Sequence, residues 1–347
     1  MPELRYDPLQ DRWVIISTER AARPSDLRDT TKYNHIKLCP FCGGNESQTP
    51  PEIWSVRDPH TQPNTPGWKV RVVSNKFPAL NIGPQGKRIG VGYYDMIEGV
   101  GAHEVIIETP QHDVTLADLP PEQFKWVLQA YRERLRDLYK DTRLKYVLIF
   151  KNHGQRAGAS LAHSHSQLIA TPIVPLNVTI KLEAAKKHYD NKERCLICDL
   201  IQQDIFDKKR VIAEEKGFIA VAPYASRFPF EVFIAPIQHN HSFAEASDED
   251  LEKLSSFFKD ILVRLKKVLL DPPHNYVLNT APNTEAKPKF AGKWETLKYD
   301  YHWHIEIIPR LTRIAGFEWG SGFYINPSIP EEAAQFLREE KEEQALP

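Results

Sequence analysis

The sequence predicts an α/β chain of the α+β kind, built from a duplicated unit in which each copy is a mainly antiparallel sheet with helices packed on it. Three observations lead there. The 347 residues, 41% of them hydrophobic, suffice for two ordinary domains, each with its own core. Landmarks of the first half return in the same order in the second. Short β-branched or aromatic runs bounded by turn residues alternate with long amphipathic stretches.

The repeat is read from three pairs of segments. Glu104-Val105-Ile106-Ile107-Glu108-Thr109-Pro110-Gln111-His112 is echoed by Glu231-Val232-Phe233-Ile234-Ala235-Pro236-Ile237-Gln238-His239, with the Glu-to-His interval unchanged. Tyr146-Val147-Leu148 returns as Tyr276-Val277-Leu278, and His163-Ser164-His165-Ser166-Gln167 as His302-Trp303-His304-Ile305-Glu306. We divide the chain into domains at 1–175 and 176–347.

In chain order, Arg71-Val72-Val73, Glu104 to Ile107, Tyr146 to Phe150 and Gln167 to Ala170 read as strands. Pro120 to Tyr139 and Ser247 to Leu269 carry apolar residues at helical spacing. Asp118 and Ser247 are their expected N-caps, the second supported by Glu249-Asp250 in the first turn. A third helix is expected from Pro330 to about Gln344. The Pro- and Asn-rich run Gln48 to Gly67 and the Gly-rich run Gly83 to Gly101 read as loops; they belong to a first copy that is longer than the second between its C-x-x-C and its His.

Forty-five basic residues against 46 acidic ones leave no net field for nucleic acid or an anionic membrane. Anionic ligands must then be met by a local cluster. No stretch approaches the roughly 20 apolar residues of a membrane helix, and Met1 to Arg5 lacks a signal-peptide core, so the cytoplasm is the expected address.

The four cysteines form two C-x-x-C pairs, Cys39/Cys42 and Cys195/Cys198. Disulfides fit poorly with a chain lacking an export signal, and a redox pair of thioredoxin type should open a helix after a strand. Metal ligation needs two further ligands per pair. Each half supplies them as a lone His after a strand and the first His of an H-x-H. Cys39, Cys42, His112 and His163 form one expected site, and Cys195, Cys198, His239 and His302 the other. Such closed Cys₂His₂ sets suit structural Zn²⁺. His103, His153 and His241 compete for the histidine positions, and the alternative is that the cysteines are simply buried small hydrophobes.

On an extended strand His163, His165 and Gln167 share one face, and Ser164 and Ser166 the other. A neutral imidazole is a competent nucleophile toward phosphorus near pH 7, provided one ring nitrogen is fixed as donor so that the other presents its lone pair. Just upstream, Asn152 to Ser160 is small and polar, with Gly154 and Gly158 able to bring backbone amides close to phosphate oxygens. The second copy lacks this cradle and has Glu306 where the first has Gln167, so one catalytic and one supporting half are expected. A strand whose histidines only fill the core or bind metal is the alternative.

These residues resemble the histidine-triad superfamily, and within it the tandem-domain branch of galactose-1-phosphate uridylyltransferase and the related plant-type ADP-glucose phosphorylase. The resemblance runs from about Pro2 to Pro330 and is carried by Arg12-Trp13-Val14-Ile15, Arg20-Ala21-Ala22-Arg23-Pro24, Cys39-Pro40-Phe41-Cys42, Asn75 to Leu80, Asn152 to Gln167, and Gly316-Phe317-Glu318 through Pro327. It implies that His165 carries the nucleotidyl group and that Gln167 contacts the phosphoryl oxygens. It implies further that Asn75 and Asn152 contact the nucleotide, Gly158 and Ser160 the phosphates, and Glu318 the hexose hydroxyls. Arg20 and Arg23 would reach a sugar nucleotide across a homodimer interface. The chain departs from the H-P-H-G-Q of the best-known transferases by the serines at 164 and 166, as the phosphorylase branch does, which leaves the base and the hexose open.

The expected activity is ping-pong exchange of UMP between UDP-glucose and a hexose 1-phosphate, galactose 1-phosphate, through a nucleotidyl-histidine. The expected partners are thus a sugar nucleotide and a hexose 1-phosphate, with no nucleic acid or membrane. The rivals are an ADP-glucose phosphorylase that hands AMP to inorganic phosphate, a nucleotide hydrolase, and a non-catalytic zinc-stapled binding protein.

Overall fold

The structure, a computed structural model, describes residues 2–17, 38–83, 87–286 and 294–342. The chain opens with a hairpin of β1 (Glu3–Asp7) and β2 (Arg12–Ile16). The first copy follows as β3 (Glu52–Arg57), β4 (Trp68–Ser74), a small ribbon of β5 (Arg88–Val91) and β6 (Tyr94–Ile97), then β7 (Ala102–Ile107), α1 (Pro121–Leu138), β8 (Tyr146–His153) and β9 (His165–Thr171). Two helices, α2 (Leu176–Lys192) and α3 (Leu196–Asp207), lead into the second copy: β10 (Val211–Glu215), β11 (Phe218–Val221), β12 (Val232–Pro236), α4 (Asp248–Leu269), β13 (His274–Asn279), the short α5 (Leu297–Asp300) and β14 (His304–Pro309). Helix α6 (Gly316–Ser321), β15 (Tyr324–Asn326) and α7 (Pro330–Glu342) close it, with β15 adding in parallel to β2.

Ten of these strands form a single antiparallel sheet in the order β10-β11-β12-β14-β13-β8-β9-β7-β4-β3. Read outward from its centre, β8-β9-β7-β4-β3 mirrors β13-β14-β12-β11-β10, strand for strand. The repeat seen in the sequence is therefore a pseudo-twofold in space, and β8 pairing with β13 fuses the copies. Helices α1 and α4 lie together on one face, Phe124 against Phe258 at 5.3 Å between rings. Their apolar stripes (Val127, Leu128, Leu135; Leu254, Ile261, Leu265) bury Ile106, Leu168, Tyr276 and Ile305 in a core shared by both copies.

The other face differs between the copies. In the second it is covered by α3, whose Leu196, Ile197 and Ile201 pack on Ile219, Val221 and Ala235, while α2 packs against Tyr146, Ala281 and Tyr301 at the centre. In the first, among the described residues, the corresponding cluster is Trp68, Val73, Val105 and Ile107, with Phe41 of the first C-x-x-C against it. The candidate site lies on this face.

Several local expectations change. Ser247 caps α4 in a full capping box, accepting from the Asp250 amide at 3.0 Å while Asp250 accepts from the Ser247 amide at 2.9 Å. Asp118 does not cap α1: Pro120 is the N-cap with Pro121 inside it, and Asp118 instead binds Thr115 and Lys266. The stretch expected as a loop from Gln48 to Gly67 contains the edge strand β3, whose charged Glu52 and Arg57 pair with each other and obscure a strand pattern. Gly83 to Gly101 contains β5 and β6, a ribbon with almost no buried residue and hence no alternation to read. Helix α7 ends at Glu342 within the described residues.

Candidate active site and metal groups

The first C-x-x-C sits in a tight turn closed by the Cys42 amide on the Cys39 carbonyl, His112 follows β7, and His163 lies two residues before the start of β9. The turn, the loop and the strand end bring the four ligand atoms within 4.8 Å of one another. Cys39 Sγ lies 3.6 Å from His163 Nδ1, and Cys42 Sγ lies 3.4 Å from His112 Nδ1 and 3.7 Å from His163 Nδ1. Bonds of about 2.3 Å to sulfur and about 2.0 Å to nitrogen at a tetrahedral angle put such atoms roughly 3.5 Å apart, so the donor set fits Zn²⁺. His163 Nε2–H donates to the Thr109 carbonyl at 2.7 Å, which orients the ring and leaves Nδ1 as the ligand. Burial lowers His163 to about 4, so its ring is neutral, as a ligand must be; burial and the adjacent Cys39 raise the Cys42 thiol to about 11, a state that a divalent cation would reverse.

The second group repeats this with different local structure. Cys195 is the N-cap of α3 and Cys198 lies in its first turn, with His239 after β12 and His302 before β14. This pair does open a helix, yet that helix follows α2 rather than a strand. Cys198 Sγ lies 3.4 Å from Nδ1 of both histidines, and His239 Nε2–H donates to the Lys298 carbonyl at 2.9 Å. Both ligand sets expected from the sequence are thus assembled as groups able to hold a metal ion. The competing histidines go elsewhere: His241 to Glu245, His153 to Asp271, and His103 to Gln167.

His165 is the first residue of β9 and is 6% exposed. Its Nδ1–H donates to the carbonyl of His163 at 2.7 Å, which fixes the tautomer and leaves the lone pair on Nε2. Burial, and then the Lys151 ammonium, hold its pKa below the ordinary value, so the ring is neutral near pH 7. Two residues on, Gln167 is oriented by His103. The Ala79 amide donates to His103 Nδ1 at 3.1 Å, so Nε2 carries the proton and donates to Gln167 Oε1 at 2.9 Å; Asn75 Nδ2 lies 3.0 Å from the same Nε2. The Gln167 amide NH₂ thereby lies on the side of the amide away from His103.

The segment between β8 and β9 leads directly into His165. It turns through a 3₁₀ step at Gln155–Ala157 flanked by Gly154 and Gly158 at φ 87° and 90°, a left-handed region that favours glycine. A Cβ on Gly154 would stand 2.7 Å from Pro273 Cβ. Asn275, from the second copy, donates to both Asn152 Oδ1 and the Ala157 carbonyl at 2.8 Å. Gly158 and Ser160 are exposed.

Glu318 is half-buried on α6, its carboxylate accepting from the Ala315 amide at 3.0 Å. Arg20 and Arg23 lie outside the described residues. Sequence reasoning weighed His103 only as a metal ligand, and missed Asn275 and a buried pair, Lys151 and Glu108, behind β9. The last two had a signal: each is a charged residue at a position whose alternation (Val147, Ile149, Lys151; Glu104, Ile106, Glu108) places it on the buried face.

Residues 1–175 match the model of the galactose-1-phosphate uridyl transferase N-terminal domain, and residues 100–344 match a domain family of unknown function. The chain is 37% identical to an ADP-glucose phosphorylase of Arabidopsis thaliana over 97% of its length and 93% of that protein's. It is 30% identical to a galactose-1-phosphate uridylyltransferase of Thermotoga maritima, over 98% of each. Among solved structures, an Arabidopsis thaliana ADP-glucose phosphorylase with bound ADP-glucose superposes with a TM-score of 0.80 at 35% identity, covering 98% of both chains. With this similarity spanning both copies and the site strand within the matched region, the chain belongs to the galactose-1-phosphate uridylyltransferase family.

Proposed function

We propose that this protein transfers a nucleoside monophosphate from a sugar nucleotide through a covalent nucleotidyl-His165. The observation that carries the reading is the Nδ1–H of His165 held by the His163 carbonyl, which presents a neutral Nε2 lone pair at the start of β9 beside a glycine-bearing turn. In the first step Nε2 attacks the α-phosphorus and the bond to the bridging oxygen breaks, its electron pair leaving on the sugar phosphate. In the second, a phosphate oxygen of the acceptor attacks the same phosphorus, and the P–N electron pair returns to Nε2. The Gln167 amide, the Ser160 hydroxyl and backbone amides near Gly158 stabilise charge on the phosphoryl oxygens, while Asn75 and Asn152 hold the nucleotide. Cys39, Cys42, His112 and His163 would hold a Zn²⁺ that ties the first C-x-x-C turn to the end of β9, and Cys195, Cys198, His239 and His302 would hold one that braces the second copy. Residues 1–175 act as the catalytic half and 176–347 as the supporting half, in a homodimer whose partner contributes Arg20 and Arg23.

Two choices of substrate are separable. UMP exchange between UDP-glucose and galactose 1-phosphate follows the family's transferases, with Glu318 binding hexose hydroxyls. Transfer of AMP from ADP-glucose to phosphate is favoured by the higher identity to the Arabidopsis phosphorylase and by the serines at 164 and 166. Intact-protein mass spectrometry after incubation with UDP-glucose or ADP-glucose, on wild type and His165→Gly, tests both points. An adduct of UMP or AMP mass on the wild type alone supports the reading and names the base. No adduct from either donor, with metal content verified, removes it.

A further inference from the structure

Ser164 and Ser166 point away from the site face and are buried at 5% and 0% exposure. Behind them lies Glu108, fully buried just beyond β7. Its Oε2 accepts from Ser164 Oγ and from Lys151 Nζ, both at 2.6 Å, and its Oε1 accepts from Ser166 Oγ at 2.8 Å. Because the Ser166 proton is committed to Glu108, its oxygen accepts from Tyr131 OH at 2.6 Å, and Tyr131 in turn accepts from Tyr276 OH at 2.5 Å. This arrangement satisfies every hydroxyl, with Glu108 Oε1 also 3.5 Å from Tyr131 OH, and it ends on an ionised carboxylate.

Lys151 spends its three protons on Glu108 Oε2, on Ser164 Oγ at 3.1 Å and on the backbone carbonyl of His165 at 2.9 Å. The last bond has a topological cause. The β8–β9 ladder stops at Phe150 opposite Gln167, so the His165 carbonyl lies past its end. A lysine one residue beyond Phe150 supplies a donor where a strand amide would otherwise stand.

Taking His165 as the nucleophile proposed above, we infer that Lys151 and Glu108 form a positioning unit that clamps β9 from behind, fixing the peptide units on both sides of His165. Neither group touches substrate. Lys151 holds the carbonyl that follows the His165 ring and the hydroxyl of the residue before it; Glu108 holds the hydroxyls at 164 and 166. Their buried charges are mutually satisfied, and the serines that distinguish this chain from H-P-H-G-Q sequences are the contacts through which the clamp grips the strand. Misplacement of a reacting atom by about 1 Å costs on the order of 100-fold in rate, which makes such a clamp catalytically consequential.

The informative variant is the double substitution Lys151→Met with Glu108→Gln. It removes both charges together, keeps a partner for the serine hydroxyls, and deletes the donor to the His165 carbonyl. Single-turnover adduct formation with the donor that labels the wild type is measured alongside melting temperature, metal content and the ¹⁵N spectrum of the His165 ring. The expected result is a rate lowered by about 10- to 100-fold at a donor half-saturation within about 3-fold of wild type. Melting and metal content are expected to hold, with the ring no longer locked as the Nδ1–H tautomer. An unchanged rate and ring spectrum would overturn the inference, as would a rate loss that merely tracks lost stability or metal. If the wild type forms no adduct, the nucleophile reading fails on its own. The spectrum then decides the clamp: a released tautomer in the double variant supports it, and an unchanged one overturns it.

Discussion

His165 and His304 occupy equivalent places in the two copies and share one device: each donates Nδ1–H to the carbonyl of the metal-group histidine two residues before it, at 2.7 and 3.0 Å. Their surroundings then diverge. Nε2 of His304 faces Lys181 Nζ at 3.4 Å and Glu306 Oε1 at 3.5 Å, and its ring stacks on Phe233 at 4.7 Å. Lys181, from α2, and Arg227 both pair with Glu306, which they hold ionised far below the ordinary carboxylate range against the opposing effect of burial. The second copy therefore fills with its own side chains the space in front of its imidazole. In the first copy the charged lysine–glutamate pair sits behind the strand instead, and among the described residues Phe41 lies against the His165 ring at 5.2 Å. The difference teaches that duplication retained the tautomer lock in both halves, while the placement of one ion pair, in front of the imidazole or behind the strand, distinguishes them.

The largest expected effect separates the two histidines directly. His165→Gly should lower turnover by at least about 10⁴-fold, whereas His304→Gly should cost less than about 10-fold in turnover while destabilising the fold by about 2–4 kcal/mol through the cavity and stranded charges it leaves. Steady-state assays with a denaturant titration check both; comparable losses of turnover would break the assignment of one catalytic half.

Metal removal sharpens the comparison next. Two equivalents of zinc per chain are expected by elemental analysis. Cys39→Ala should lose one equivalent and about 10- to 100-fold of activity, because His163 anchors the carbonyl that locks His165; Cys195→Ala should lose the other equivalent with a melting decrease larger than its activity loss. The reverse pattern would place the chemistry in the second copy.

A smaller effect is expected where the second copy braces the first. Gly154→Ala forces a side chain to φ 87° and against Pro273, at a cost of about 1–3 kcal/mol; Asn275→Ala frees Asn152 and the Ala157 carbonyl at about 1–2 kcal/mol. Both should raise the KM for donor more than they lower kcat, measured by initial rates.

The smallest effect is on pH dependence at the seam. Burial, with the adjacent His153, lowers His274 to about 3. A folded pKa below the unfolded value of about 6.5 means the unfolded chain binds more protons between those limits, so stability falls as pH is lowered from about 6.5 toward 3. The ring is only partly buried, so the slope is expected at or below about 1 kcal/mol per pH unit. Denaturant midpoints at pH 7 and 5 should converge in His274→Asn relative to wild type.

By itself the sequence determined the duplication, the H-x-H strand of the candidate site and both Cys₂His₂ groups able to hold a metal, because each rests on short periodicities or recurring donor types: H-x-H on an extended strand, C-x-x-C with a trailing His, and stripes at helical spacing. It also carried Ser247 as a cap, since a capping box is local. Only the tertiary structure decided what surrounds these motifs. That the two copies share one sheet through β8 and β13, that Asn275 reaches the turn beside His165, that His103 orients Gln167 rather than a metal, and that Lys181 blocks His304 are all contacts between residues far apart in the chain. The physical reason is that hydrogen bonds and ion pairs in a buried site are selected by three-dimensional proximity and mutual satisfaction, neither of which a linear pattern encodes. Lys151 and Glu108 mark the boundary between the two: alternation places each on the buried face, and only the fold reveals that each is the other's partner.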